Sequence, residues 1–183
     1  MQFKRTEDIQ DLLDSIRKGA RAAVNLYSGE AELTESFAQT LQHSLQADVI
    51  TLDVSAYPAF EELVRELVMQ LLLREDKPQD CRVADTAIDE LNIRLLRRHV
   101  SRLLNAFGAQ GSWICLILKG FDAADGYWDD SAFAWMRELV DSGKIPTCVI
   151  LSERPVAEVS DKPEGSSPLY NIFRSYPLQG EEA

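Results

Sequence analysis

Ser28-Gly29-Glu30-Ala31-Glu32-Leu33-Thr34-Glu35-Ser36 is the stretch on which the reading of the fold turns. A mostly apolar run, Ala22 to Tyr27, precedes it, and an amphipathic run with Phe37, Leu41 and Leu45 at helical spacing follows. A short apolar run reads as a buried strand, and apolar residues three and four apart read as one face of a helix. The spacing therefore predicts a strand, a short polar loop and a helix in that order, with Thr34 as the cap of the helix. The loop carries three carboxylates, Glu30, Glu32 and Glu35, and neither lysine nor arginine.

The same alternation continues outward. Upstream, Thr6, Glu7 and Asp8 start a helix with acids at the positive end of its dipole. Ile9, Leu12, Leu13 and Ile16 follow at helical spacing and Gly19 is a stop, so residues 1–20 read as an N-terminal helix and 21–178 as an α/β core. Downstream, Val49 to Val54 is β-branched and short, a second strand. Pro58 sits near the start of a helix carrying Phe60, Leu63, Val64, Leu67, Val68, Leu71 and Leu72, and Arg74 to Arg82 reads as a loop. Ile88, Leu91, Leu95, Val100, Leu103, Leu104 and Phe107 predict a long helix ending near Gly108. Trp113 to Leu118 is continuously apolar, as a strand buried on both faces should be. An acidic loop, a helix with Phe133, Met136, Leu139 and Val140, and a fourth strand from Thr147 to Leu151 follow. Val156 to Pro168 reads as an exposed loop, Leu169 to Phe173 as a helical turn and Arg174 to Leu178 as a fifth strand. Alternating strands and helices predict a parallel sheet with helices on both faces.

Of the 183 residues, 45% are hydrophobic and 27% charged, which is enough to bury one full core and too ordinary for a disordered chain. Nineteen Lys and Arg against thirty Asp and Glu give a formal net charge of −11. That balance argues against a protein that tracks phosphodiester backbones, which needs a basic face to release counterions, but it leaves room for a local basic patch. Met1 to Thr6 lacks the apolar core of a signal peptide, and no apolar run is long enough to cross a bilayer, so the expected setting is cytoplasmic without a membrane partner. Cys81, Cys115 and Cys148 are too widely spaced for a disulfide framework or a zinc site and read as reduced thiols. His43 and His99 are the only histidines, which removes most metal sites and histidine-based catalysis.

Three segments carry a pattern of chemistry. A loop that cradles phosphate between a strand and a helix follows G-x-x-x-x-G-K-[ST], in which backbone N–H groups and the lysine surround the phosphates and the hydroxyl holds magnesium. Gly29 and Ser36 occupy its first and last positions, Thr34 replaces the second glycine and Glu35 the lysine. The second segment is Leu116-Ile117-Leu118-Lys119-Gly120-Phe121-Asp122-Ala123, and the third is Val149-Ile150-Leu151-Ser152-Glu153-Arg154-Pro155. In this order, and at strand ends, they resemble the Walker A, Walker B and sensor 1 segments of the STAND and NACHT branch of the AAA-like P-loop NTPases. That branch typically ends its Walker B strand in Asp-Gly-apolar-Asp-Glu. Gly120, Phe121 and Asp122 match, whereas Lys119 stands where the magnesium-holding aspartate belongs and Ala123 where the glutamate belongs. Sensor 1 often ends Thr-Ser-Arg-Pro, of which Arg154 and Pro155 match, and Ser167 to Arg174 is similar to the run into the last core strand. Spanning residues 20 to 178, the resemblance implies one domain over 1–183, a three-layer αβα sandwich around a mostly parallel five-stranded sheet. The family's helical lid would follow the last strand, and the chain to Ala183 is expected to lack it.

The departures reverse the charge of the site. A unit-charge repulsion at about 4 Å is worth roughly 1 kcal/mol in water and about 4 near a protein surface, and a polyphosphate here meets several. With the magnesium aspartate gone as well, the metal cannot compensate. The chain reads as a pseudo-NTPase with no catalytic residue, no cofactor and no metal. Its vestigial nucleotide site is Gly29, Thr34, Glu35, Ser36, Lys119, Asp122 and Arg154. The resemblance puts the lysine and aspartate positions close together, so Glu35 and Lys119 are expected to pair across the vacant pocket. The plainer alternative is a solvated glutamate and a snorkelling lysine. Under the enzymatic alternative, Gly29, Ser36 and Asp122 still hold ATP and magnesium.

A closed nucleotide site leaves protein contacts as the expected role, against copies of the chain itself or beside an active AAA-like ATPase. Tyr127 and Trp128 in the acidic loop are candidate anchors of such a surface, with tucking onto the core as the alternative. Arg94, Arg97, Arg98 and Arg102 form a candidate docking stripe for an acidic partner, or for nucleic acid as in clamp-loader-like relatives with degenerate P-loops; a wet helix face is the plainer reading. Asp122, Asp125, Asp129 and Asp130 lack the alternate spacing of a calcium loop and read as solvated.

Overall fold

Continuous apolarity decides the centre of the molecule. Cys115–Lys119 and Thr147–Ser152 are buried along nearly their whole length, as strands covered on both faces must be. The computed structural model describes residues 11, 13–16, 18, 20–45, 49–76, 88, 91–159, 169 and 171–179. It places five strands: β1 (Ala22–Tyr27), β2 (Val49–Asp53), β3 (Cys115–Lys119), β4 (Thr147–Ser152) and β5 (Arg174–Pro177). They form one sheet in the order β2-β3-β4-β1-β5, with every pairing parallel. In this order β3 and β4 are neighbours, with Leu116 opposite Cys148, and β4 lies against β1, with Tyr27 opposite Ser152.

Four longer helices cover the sheet: α1 (Ala31–Leu45), α2 (Phe60–Leu73), α3 (Ile93–Ala109) and α4 (Asp130–Asp141). Strand side chains alternate between faces. Ile50, Leu52, Leu116, Leu118 and Ile150 join a core with Leu67, Phe107 and Phe133 from α2, α3 and α4, while Val24, Leu26, Ile117, Val149 and Leu151 join Phe37 and Leu41 of α1 together with Leu13 and Ile16. The result is a three-layer αβα sandwich with one core on each side of the sheet. Cys115 and Cys148 are both buried in it, and burial pushes the Cys115 thiol up to about 12, so neither is a reactive thiol.

Several boundaries depart from the sequence reading. α1 begins at Ala31, so Thr34 lies inside the helix and its hydroxyl donates back to the Ala31 carbonyl at 2.9 Å rather than capping. α3 begins at Ile93 because Asn92 caps it, its side chain accepting from the Leu95 amide at 3.1 Å; Ile88 and Leu91 precede the helix. The acidic loop is folded: Phe121–Ala123 and Ala124–Tyr127 are consecutive helical turns, and the Asp129 carboxylate caps α4 by accepting from the Ala132 amide at 2.8 Å. Val156–Val159 is a helical turn rather than exposed loop, because Val156 and Val159, three apart, both reach the core. The fifth strand ends at Pro177, and of the N-terminal helix residues 11 and 13–16 are helical, while 1–10 fall outside the described residues. Cys81 and the loop after residue 159 up to Pro168 also lie outside them.

Candidate functional site

In an open parallel sheet, ligands bind beyond the carboxyl ends of the strands, and the three motif segments all leave the sheet there. Odd-numbered residues of β3 face α1, which points Lys119, the last of them, at the first turns of that helix. Its Nζ donates to Glu35 Oε2 at 2.6 Å, joining β3 to α1 across 84 residues of chain. The hydrogen bond from Lys119 holds the Glu35 carboxyl below its ordinary 4.5, against partial burial and the Asp53 carboxylate. Glu35 also accepts from Gln39 Nε2 at 3.2 Å. Both charges remain partly exposed, 24% for Lys119 and 49% for Glu35, so the pair contributes at most about 1 kcal/mol of stability. What it does firmly is occupy, with side chains of the protein itself, the two positions where the P-loop pattern has a lysine and an aspartate.

The loop between β1 and α1 is shorter than the pattern requires. Only Ser28, Gly29 and Glu30 separate the two elements. The Glu30 amide donates to Ser28 Oγ at 3.2 Å and the Leu33 amide to the Glu30 carbonyl at 3.0 Å. Thr34, Glu35 and Ser36 lie in the helix, where amides from the fourth residue onward bond within it. Backbone donors that a cradle would aim at phosphate are thus largely committed to helix. Gly29 has an ordinary φ and open space around its α-carbon, so nothing local demands glycine there.

Gly120, by contrast, is required. Its φ of 58° is left-handed, and a β-carbon would come within 2.9 Å of Asp53 Oδ1 and 3.3 Å of Ser55 Oγ. Asp53 ends β2 opposite Lys119 and is itself fixed, accepting from the Ser55 amide at 3.0 Å and its hydroxyl at 2.6 Å. Gly120→Ala is expected to cost about 2 kcal/mol or more, from the left-handed backbone and the displaced aspartate together. Chemical denaturation of the two proteins measures it.

The remaining motif residues form a second polar group. Asp122 accepts from the Glu153 amide at 2.6 Å and from Arg154 Nε at 3.4 Å, while Arg154 Nη2 donates to Asp125 at 2.7 Å. Asp125 chiefly, and Asp122, raise the Arg154 pKa further. Asp122 and Arg154 therefore clamp the exit of β4 to the turn after β3. Behind them lies a residue that belongs to none of the three motif segments. Asn25, fully buried at 0% exposure in the middle of β1, donates to Ser152 Oγ at 2.7 Å and to the Ile150 carbonyl at 3.4 Å. It accepts from the Val156 amide at 2.8 Å and the Ser175 hydroxyl at 2.9 Å. A lone asparagine in the run Ala22 to Tyr27 was the available signal. For Asp53 the signal was an acid ending an apolar strand.

The expected partner surface divides. Trp128 is 4% exposed and packs edge-on against Phe60 at 4.8 Å and Phe121 at 5.2 Å, so it belongs to the core and leaves the candidate surface. Tyr127 beside it is 46% exposed. Arg97 also leaves the stripe: its guanidinium stacks over Phe60 at 5.2 Å and Trp135 at 5.7 Å and donates to Ser131 Oγ at 3.2 Å. Arg94, Arg98 and Arg102 remain exposed, one turn apart along α3, with no carboxylate partner among the described residues. Clefts of about 510, 380 and 280 Å³ lie at the opposite, amino-terminal edge of the sheet, away from all of these groups.

No protein-family model matches the chain, and no curated protein does. Solved structures do. The Aeropyrum pernix ORC1 protein, in complex with DNA, aligns with a TM-score of 0.63 at 11% identity, over 97% of this chain and 46% of that one. The Aeropyrum pernix ORC2 protein gives 0.58 at 10% identity over 92% and 45%, and the Walker-type ATPase paby2304 of Pyrococcus abyssi 0.55 at 16% over 95% and 54%. The chain thus spans about half the length of these structures. At such identities the likeness is one of fold, the parallel five-stranded α/β sheet of the AAA-like P-loop type. No helix among the described residues is long and apolar enough to cross a membrane.

Proposed function

We propose that this chain is a pseudo-NTPase of the STAND and NACHT type, an AAA-like fold without nucleotide chemistry that works as a binding module for another protein. The observation that carries the reading is the Lys119–Glu35 contact of 2.6 Å, a charge pair inverted relative to the P-loop pattern and closed on itself. The helix start at Ala31 supports it, since amides of Thr34, Glu35 and Ser36 are spent within the helix. So does Asp122, whose two oxygens are taken by Glu153 and Arg154 rather than left for a metal. With this edge filled, contact falls to the outer surface, where Tyr127 and Arg94, Arg98 and Arg102 of α3 stand exposed. The partner is a second protein, an active AAA-like ATPase or another copy of this chain. Calorimetric titration with ATP and with ADP, magnesium present, is expected to give no saturable heat. Saturable binding that Ser36→Ala abolishes would overturn the reading in favour of an NTPase with an unusual loop.

A second reading rests on Arg94, Arg98 and Arg102. Like charges one turn apart cost a helix about 0.2–0.5 kcal/mol per pair, and no described carboxylate offsets them. Such a line fits a polyanion, and a structural neighbour, the Aeropyrum pernix ORC1 protein, is held in a complex with DNA. If nucleic acid is the partner, binding should weaken with salt with a logarithmic slope of about −3 for three phosphate contacts. Reversing Arg98 and Arg102 to glutamate should then abolish the gel shift. No shift at low salt removes this reading and leaves the first intact.

A further inference from the structure

The clefts at the amino-terminal edge of the sheet share one residue. Arg21, just before β1, lines all three. Its guanidinium lies flat against the turn after α4: a β-carbon on Gly143, whose φ is 69°, would meet Arg21 Nη1 at 2.7 Å and Cζ at 3.0 Å. The glycine thus leaves room for the guanidinium to rest on backbone, and the left-handed turn keeps that room open. Yet among the described residues no carboxylate, carbonyl or hydroxyl accepts from Arg21. That sets it apart from Arg65, Arg74, Arg137 and Arg154, each of which meets a carboxylate. Arg174, opposite Val24 in the sheet, is a second guanidinium without an acceptor among the described residues, and it lines the cleft of about 510 Å³. The same cleft is lined by Ser15 and Tyr176, whose hydroxyls can donate, by the apolar Ala22, Ala23 and Ile172, and by one carboxylate, Asp11, which the two guanidinia outnumber.

We propose that this edge is an anion site, and that it takes a small phosphorylated organic molecule, with the phosphate on Arg21 and Arg174 and the organic part over Ala23, Ile172 and Tyr176. The donor set fits. Guanidinium meets phosphate through two parallel N–H groups, two guanidinia suit a dianion, and the cleft volume falls within the range of small-molecule sites. The chain's net charge of −11 repels a dianion from most of the surface. Arg94, Arg98 and Arg102 of α3 are also without a carboxylate partner among the described residues, and what this edge has in addition is a cleft. The site lies at the far end of the sheet from Glu35 and Lys119 and stands whatever that end binds.

Titration of the full ¹⁵N-labelled chain with inorganic phosphate and with phosphoserine, at constant ionic strength, tests it. Expected are saturable shifts of the Gly143 amide and the Arg21 Nε–Hε resonance, with phosphoserine saturating at lower concentration, and no matching shift at Glu35 or Lys119. Arg21→Gln should raise the half-saturation point about ten-fold or more, the usual scale of a lost charge-assisted pair. Arg174→Gln should raise it less, with the thermal midpoint unchanged in both since the side chains are exposed. Equal saturation by glutarate would overturn the phosphate assignment, and shifts that are absent, scattered or indifferent to Arg21→Gln would overturn the site.

Discussion

Trp128→Ala should lower stability by about 3–5 kcal/mol, the usual cost of emptying a large aromatic site in a core. At roughly 2–4 °C per kcal/mol for a chain of this size, the thermal midpoint falls by about 6–20 °C. The ring lies among Phe60, Phe121 and Phe133, with centroids at 4.8, 5.2 and 5.4 Å, so its removal takes one packing partner from each of three other rings. Trp128→Phe should cost distinctly less, because it also removes an indole N–H that is buried without an acceptor. Thermal unfolding followed by circular dichroism separates the outcomes. A midpoint unmoved by Trp128→Ala would return this residue to the partner surface and contradict its burial.

The second large effect is expected at Asn25. Asn25→Ala removes two donated and two accepted hydrogen bonds at once. It strands the buried Val156 amide and leaves the buried Ile150 carbonyl and Ser152 hydroxyl without their donor, at about 1–3 kcal/mol for a buried group before any relaxation, so a total near 3 kcal/mol is expected, while the exposed Ser175 turns to water. The loss should also be local in a way that the Trp128 change is not. The Asn25 side chain ties β1 to the turn after β4 and reinforces the backbone pairing of β1 with β5, so amide exchange at Val156 and along Arg174–Pro177 should accelerate ahead of exchange in β3. Uniform acceleration across the sheet would mean that the asparagine is no hub.

The strands were legible because burial on two faces forces continuous apolarity. Trp113 to Leu118 and Thr147 to Leu151 leave little else to read. The strand-end positions of Glu35, Lys119, Asp122 and Arg154 followed from motif order, and the structure brings Glu35 to Lys119 and Asp122 to Arg154. What escaped were decisions made by single hydrogen bonds. Capped by Asn92, α3 starts five residues later than apolar spacing suggests, and nothing in that spacing distinguishes Leu91 from Leu95. The start of α1 was misplaced for the reverse reason: Thr34 is a good cap in isolation, but Leu33 is fully buried and draws the helix in earlier. Polar neighbours in sequence make Trp128 and Arg97 surface candidates, with tucking onto the core as the other reading of Trp128; the tucked reading holds, and both stack on Phe60, about seventy and forty positions away, a pairing that only the packed fold creates. The amino-terminal clefts gave no sequence signal, since Arg21 and Gly143 meet only once β1 and the turn after α4 are laid side by side.

The three-residue link between β1 and α1 sets a limit on engineering. Point substitutions can exchange Glu35 for lysine and Lys119 for aspartate, but they leave the helix starting where Leu33 anchors it. Recovered charges would then stand beside amides already bonded along the helix axis. Turning this edge into a phosphate receptor is a matter of chain length, an insertion that pushes the helix start toward Ser36, more than of side-chain identity.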